Sequence, residues 1–277
     1  MVPITDAEFV EFTRLVNQLT GIVLDDTKRY LIETRIGPLV DELKLSNYRS
    51  LLDLVKSGGK PALQERIIDA ITTNETFFFR EPGAFDLLRR RLIPKALDER
   101  TGSRSREPMR IWSAACSSGQ EMYSLAISAL ELIGTIATER IAIDGSDISE
   151  QILARASLGA YSQFEVNRGM PANLLSKYFT ATPTGFRVVD HIRAMCSFNK
   201  ANLLRLGPMM HRYDVILCRN VSIYFSPAER IVLFRSLANC LIPGGALIVG
   251  STEQVRDCES ILRMVNDFPG CYYYQRI

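Results

Sequence analysis

What narrows the possible folds most is a change of rhythm at Met109. Before it, apart from the aromatic run Phe77-Phe78-Phe79, apolar residues recur at helical spacing. After it, short apolar runs suited to strands alternate with helical stretches. Strands are expected at Arg110–Cys116, Arg140–Asp147, Met195–Asn202, Tyr213–Asn220 and Ala246–Ser251, with helices at Glu121–Ile133, Ser149–Leu158 and Pro227–Leu241. Parallel neighbours need crossover helices, so the pattern predicts an α/β fold with a doubly wound, mostly parallel sheet. Met264–Val265 and Cys271–Gln275 read as a closing antiparallel hairpin around Asp267–Gly270. Ala160–Ile192, with turn signals at Gly169, Pro171, Pro183 and Gly185, reads as an insertion.

Residues 1–75 read as a separate helical domain. Thr5-Asp6-Ala7-Glu8 has the form of a capping box, and Phe9, Phe12, Val16 and Leu19 follow on one face until Gly21. A second helix is expected over Asp26–Leu45. Ser46 is the expected cap of a third, which carries Tyr48, Leu52 and Val55 and ends at Gly58-Gly59; Pro61 opens a fourth with Leu63, Ile67 and Ile71. Residues 76–108 form a connecting segment: an aromatic run through Phe77-Phe78-Phe79, a helix opened by Pro82 with Phe85, Leu88 and Leu92 inward, and the linker-like stretch Gly102–Pro108. Residues 109–277 then form the α/β domain.

The 33 Lys+Arg nearly balance the 31 Asp+Glu, so there is no global attraction to nucleic acid. No run approaches the roughly 18 apolar residues of a membrane span, and the acidic start MVPITDAEFVEF lacks a signal peptide's form. The six cysteines contain no C-x-x-C pair, which argues against a zinc site and a disulfide scaffold, and no metal is expected. A cytoplasmic chain without membrane insertion is the expectation.

In an open α/β sheet, ligands bind beyond the carboxyl ends of the strands. After the first strand comes Ala114-Ala115-Cys116-Ser117-Ser118-Gly119-Gln120-Glu121, with one glycine rather than the three of a dinucleotide fingerprint. Its carboxylate would repel a pyrophosphate and accept a cationic or hydroxyl-rich ligand; the plainer reading is a tight turn with Glu121 in the first helical turn. Asp147 ends the second strand, placed either to bind ribose hydroxyls or, with Ser149, to cap a helix. Cys218-Arg219-Asn220-Val221-Ser222-Ile223-Tyr224-Phe225 ends the fourth, where Arg219, Asn220 and the aromatic pair either line a cleft or serve the core.

Thr73-Asn74-Glu75-Thr76-Phe77-Phe78-Phe79-Arg80, Trp112 to Ser124, Ser146-Asp147-Ile148 and the block from Cys218 to Phe225 closely resemble the CheR family of chemotaxis receptor methyltransferases. Ala201-Asn202-Leu203-Leu204 and Gly250-Ser251-Thr252-Glu253 fit the same pattern, and the blocks stand in the family's order. The resemblance implies a class I methyltransferase-like domain with a small β-subdomain insertion at about 160–192. It implies S-adenosylmethionine as cofactor, S-adenosylhomocysteine as product, and methylation of glutamate side chains on the cytoplasmic signalling helices of membrane-bound chemoreceptors. The cofactor site it implies comprises Asn74, Thr76, Arg80, Glu121, Asp147, Asn202, Leu203, Arg219 and Asn220. Asp147 is expected on the ribose, Asn202 and Leu203 on the adenine, and Glu121 and Arg80 on the two ends of the methionine. Arg80 or Arg219 is expected to orient the acceptor carboxylate, and Tyr224 to border the methyl path.

Three departures from the family pattern bear on function. Gln120-Glu121-Met122 stands where the family has Glu-Glu-Pro. Residues 1–80 hold 10 Lys+Arg against 12 Asp+Glu, so Lys28, Arg29 and Arg35 are what remains of a basic receptor-gripping patch, the alternative being a solvated face. The short Thr180–Phe186 loop predicts an enzyme independent of a receptor's C-terminal pentapeptide tether. The rival reading of the whole is a cofactor-binding regulator or scaffold without turnover.

Overall fold

The computed structural model describes residues 3–57, 61–207 and 211–277. The expected end of the third helix at Gly58-Gly59 lies outside them. The helical domain contains α1 (Asp6–Thr20), α2 (Arg29–Glu42), α3 (Tyr48–Lys56) and α4 (Pro61–Ile71). The Thr5–Glu8 capping box forms in both directions, and Gly21 stops α1 in a left-handed conformation at φ +79°. Asn47, not Ser46, caps α3: its side chain is the one that reaches the N–H of Ser50, at 2.9 Å. A 3-10 turn over Asp26–Lys28 leads into α2, so that helix starts later than the apolar pattern suggests. Phe12, Val16, Ile32, Ile36, Leu51, Leu52 and Ile67 are buried in this domain's own core.

The rest of the chain runs α5 (Pro82–Leu87), a π-helical turn (Leu88–Leu92), α6 (Ile93–Gly102), β1 (Met109–Ala114), α7 (Gln120–Ile133), α8 (Ala137–Arg140), β2 (Ile141–Asp147) and α9 (Glu150–Leu158). The insertion follows with β3 (Ala160–Tyr161), α10 (Gln163–Asn167), α11 (Ala172–Tyr178), β4 (Phe179–Thr182), β5 (Gly185–Val188) and α12 (Asp190–Arg193). Then come β6 (Cys196–Lys200), β7 (Tyr213–Cys218), α13 (Pro227–Cys240), β8 (Leu241–Val249), β9 (Leu262–Val265) and β10 (Tyr273–Arg276). The main sheet is ordered β6-β2-β1-β7-β8-β10-β9; its first five strands are parallel, and β10 runs antiparallel to both neighbours. This is the doubly wound sheet and closing hairpin that the alternation implies. Its order reverses between β1 and β7, which opens a crevice at their carboxyl ends.

Strand alternation divides the core between the two faces. Ile111, Val215, Leu217 and Ile248 pack on one side; Trp112, Ile216 and Leu247 pack on the other. Phe85, Leu88, Leu92, Ile93 and Ala96 join the first of these cores, so the helices of the connecting segment belong physically to the α/β body. Gly102–Pro108 is a short surface connection to β1, held by Arg100 donating to the carbonyls of Glu107 and Pro108 and pairing with buried Asp214 at 2.8 Å.

The insertion's three strands form a separate antiparallel sheet, β3-β5-β4. It docks on the segment before α5 through Gly169. That residue has φ +86°, and a Cβ there would lie 2.0 Å from the Phe78 carbonyl oxygen. Gly134, at φ +66°, has open space around the same position. With ψ −156° as well, Gly134 sits in a region essentially confined to glycine, so Gly134→Ala is expected to carry backbone strain of about 1–3 kcal/mol and no clash. Gly169→Ala adds a backbone clash, and its denaturant-unfolding midpoint should fall well below that of Gly134→Ala.

Candidate active site

Beyond the carboxyl ends of β1, β2 and β7 lies a cleft, walled on one side by the helical domain and by residues 72–77. Asn74, Thr76, Arg80, Glu121, Asp147, Asn202, Leu203, Arg219, Asn220 and Tyr224, separated by up to 150 positions in sequence, all line it. The helical domain is tied to the sheet around the cleft by the Asn202 amide donating to the Leu19 carbonyl (3.1 Å), Val23 N–H donating to the Tyr224 carbonyl (2.9 Å) and Ser149 Oγ donating to Asp69 (2.6 Å).

Asp147 is buried at the end of β2. One of its carboxylate oxygens accepts from Ser117 N–H at 2.9 Å and the other from Ser149 N–H at 3.1 Å. Ser149 is the cap of α9, accepting from Ile152 N–H, which leaves Asp147 free of that duty. Each carboxylate oxygen keeps a further acceptor position. Burial pushes the Asp147 carboxyl above the ordinary aspartate range, against the pull of the backbone N–H groups, and nearby Asp69 adds to the push. The β1–α7 loop bends through left-handed Ala115, Ser117 and Gly119 to bring the Ser117 N–H there, and Ser117 Oγ fastens the far wall by donating to the Asn74 carbonyl at 2.9 Å.

Arg219 is not displayed outward. Its side chain is 2% exposed and lies between Glu121 (2.6 Å) and Glu81 (3.2 Å), while a third contact donates to the Arg80 carbonyl. The two carboxylates outweigh the desolvation of the guanidinium and raise its pKa. Burial would raise the Glu81 carboxyl, but Arg219, together with donors from Asn220 and Ser251, overcomes that and holds it below the usual range. One cation against two carboxylates leaves this wall anionic. Arg80, by contrast, has no carboxylate within ion-pair distance among the described residues, and its one side-chain hydrogen bond goes to the Glu75 carbonyl at 3.2 Å.

The loop after β7 is shaped by Glu253, a buried carboxylate that accepts from the N–H groups of Asn220, Val221, Ser222 and Gly250 and from Ser222 Oγ. These bonds hold Asn220 at φ +58°. The Asn202 side chain is engaged at both ends, its oxygen accepting from Leu204 N–H, while Leu203, Ile148 and Phe225 supply apolar lining. The basic trio of the helical domain is largely occupied by its own chain. Arg29 pairs with Asp6 at 2.7 Å and covers Phe9, Lys28 lies 3.7 Å from Asp25, and Arg35 donates to the Ile71 and Thr72 carbonyls and to Thr73 Oγ1. Arg35 thus closes the end of α4.

Arg219→Met strands two carboxylates in a largely dry wall, a change that typically destabilises by about 3–5 kcal/mol. A depressed carboxylate contributes stability that is full above its unfolded pKa and is lost as pH falls through its folded value. Wild type enjoys that contribution from Glu81 and the variant does not. The difference in unfolding free energy between them is expected to be greatest near pH 7 and to narrow as the medium is acidified below about pH 5. Urea titrations at the two pH values check this.

The chain matches two family models: "CheR methyltransferase, all-alpha domain" over residues 7–72 and "CheR methyltransferase, SAM binding domain" over residues 74–268. It is 34% identical over 277 residues to a chemotaxis protein methyltransferase of Vibrio anguillarum, covering 98% of each chain. It is 33% identical over 272 residues to chemotaxis protein methyltransferase 1 of Pseudomonas aeruginosa, covering 97% of each. A chemotaxis protein methyltransferase of Borreliella burgdorferi is 34% identical over 257 residues, covering 91% of this chain and 90% of that one. The family boundary falls where the helical core gives way to the cleft, and the chain belongs to the CheR family of S-adenosylmethionine-dependent chemotaxis protein methyltransferases.

Proposed function

We propose that this enzyme esterifies glutamate side chains on the signalling helices of chemoreceptors and releases S-adenosylhomocysteine. The observation that carries the reading is the meeting of a buried acceptor, an anionic wall and an unpaired guanidinium in one cleft. S-adenosylmethionine supplies a methyl group already activated on a sulfonium. Asp147 is placed to accept from the ribose hydroxyls, and Leu203, Ile148 and Phe225 to cover the adenine. Glu121 and Arg219 line the cleft and Glu81 pairs with Arg219; the net negative charge of this cluster favours the cationic end of the cofactor, with Asn74, Thr76 and Asn220 also lining the cleft.

A glutamate acceptor needs no general base, because its carboxyl titrates near 4.3 and is ionised at neutral pH. The protein's task is then alignment and exclusion of water, which can lower a barrier by roughly 7–11 kcal/mol. Arg80 suits the acceptor carboxylate better than Arg219, which is already committed to Glu81 and Glu121. Tyr224 lines the same cleft and would border the methyl path. Cys116 also lines the cleft, but burial raises its thiol well above the ordinary range and keeps it protonated, so direct transfer is favoured over a thioether relay.

The two-residue turn between β4 and β5, with Thr182 paired to Gly185, supports action without a receptor tether. No described helix is long and apolar enough to cross a membrane. Acting on the signalling helices of membrane-bound receptors, the enzyme would meet its substrate in the cytoplasm. Lys28 and Arg29, whose carboxylate partners are exposed, can exchange them for receptor carboxylates, whereas Arg35 is committed to the end of α4.

Tritium from methyl-labelled cofactor is expected on receptor glutamates in a base-labile form; label that resists base, or none, would overturn the reading. Tyr224→Phe should lower kcat with little change in cofactor affinity, measured in the same assay. Asp147→Asn is expected to weaken S-adenosylmethionine binding by about ten- to a hundredfold in calorimetry. Because burial raises the Asp147 carboxyl, wild-type affinity should begin to fall on acidification at a higher pH than an exposed aspartate, near 3.8, would dictate. The Asn variant should show no such fall.

A further inference from the structure

The insertion touches the cleft wall where Gly169 lies against the Phe78 carbonyl. That contact brings the preceding residue, Arg168, over the ring of Phe77, with its guanidinium carbon 4.8 Å from the centroid. Arg80 stands 5.6 Å from the centroid of the same ring, and Phe77 and Arg80 both line the cleft. Two guanidinium groups therefore share one aromatic platform at its margin. Only Arg168 pairs with a carboxylate, that of Glu75 at 3.1 Å and itself 65% exposed; Arg80 reaches the backbone carbonyl of the same residue. A guanidinium steadied by a ring keeps its N–H fork available to a planar carboxylate. An exposed carboxylate such as Glu75 exchanges readily for another, because such pairs are weak in water.

We propose that Arg168 is a substrate-recognition residue. It takes an acidic side chain that neighbours the acceptor glutamate on the receptor helix, while Arg80, on the same ring, faces the acceptor itself; Glu75 occupies the Arg168 position until the substrate arrives. The insertion thereby contributes to the choice of methylation site as well as to packing. The inference rests on the glutamate-methylating reading given above.

Steady-state methylation of a purified receptor cytoplasmic fragment, with labelled cofactor, tests it across wild type, Arg168→Gln, Arg168→Lys and Glu75→Gln. Arg168→Gln is expected to raise KM for the fragment about tenfold, as loss of a charged hydrogen bond would. Its kcat and cofactor KM should stay within about twofold, and the dependence of fragment KM on salt should flatten. Arg168→Lys should restore part of the loss. Glu75→Gln should lower the fragment KM, since it removes the competing carboxylate. If the ion pair merely pins the insertion, Arg168→Gln and Glu75→Gln will both lower the melting temperature and shift KM in the same direction, and the proposal falls. An unchanged fragment KM in Arg168→Gln, with wild type active, overturns this inference alone. A wild type that leaves the fragment unlabelled overturns the glutamate reading, and the inference with it.

Discussion

The architecture of the cleft depends on burying one guanidinium between two carboxylates. Arg219 directly follows β7, Glu121 lies in the first turn of α7, and Glu81 stands between the aromatic run and α5, so one ion cluster fixes three chain segments that are remote in sequence. Such a cluster is a poor source of net stability, because dehydrating the charges offsets most of their attraction. Its value is positional. The guanidinium's donors lie in one fixed plane, and the two acids that meet them are themselves held: Glu81 sits at φ +56°, and the Glu121 carboxylate also accepts from Ser113 Oγ at 2.7 Å.

Around that cluster the loops are shaped by carboxylates gathering backbone N–H groups. Glu253 draws the turn after β7 into place, and Asp147 draws in the turns after β1 and β2. Dense N–H donation stabilises an ionised carboxylate and gives each bend a single geometry. The ligand surface therefore owes its shape to side chains at its rim and beneath it, while the parallel sheet supplies the common origin from which those loops depart.

Much of the fold was legible because burial on both faces writes long apolar runs into parallel strands. Strand ends were less so: β7 stops at Cys218 rather than Asn220, since the Glu253 bonds turn the chain there, and nothing local to residues 218–220 announces a partner thirty positions away. The cap of α3 fell on Asn47 rather than Ser46 for want of any local signal to choose between adjacent good caps. At the site, Asp147 and Glu121 were visible from their position at strand ends and helix starts. Glu81 was not, because an acid before a proline looks like an ordinary helix entry. Arg219 was visible as a residue but not as an inward one, since its direction depends on two acids supplied by other segments. Arg168 had no signal beyond the neighbouring glycine.

The seam between the helical domain and the sheet runs along the cleft itself. Asn202 reaches across it to Leu19, Lys200 to Glu65, and Ser149 to Asp69, close in sequence to the Asp147 carboxylate. A molecule seated there touches both halves at once and fills the gap that would have to widen for them to part. Occupancy and cohesion are in this way a single property: whatever loosens the helical lobe releases the occupant, and the occupant in turn acts as mortar between the lobes.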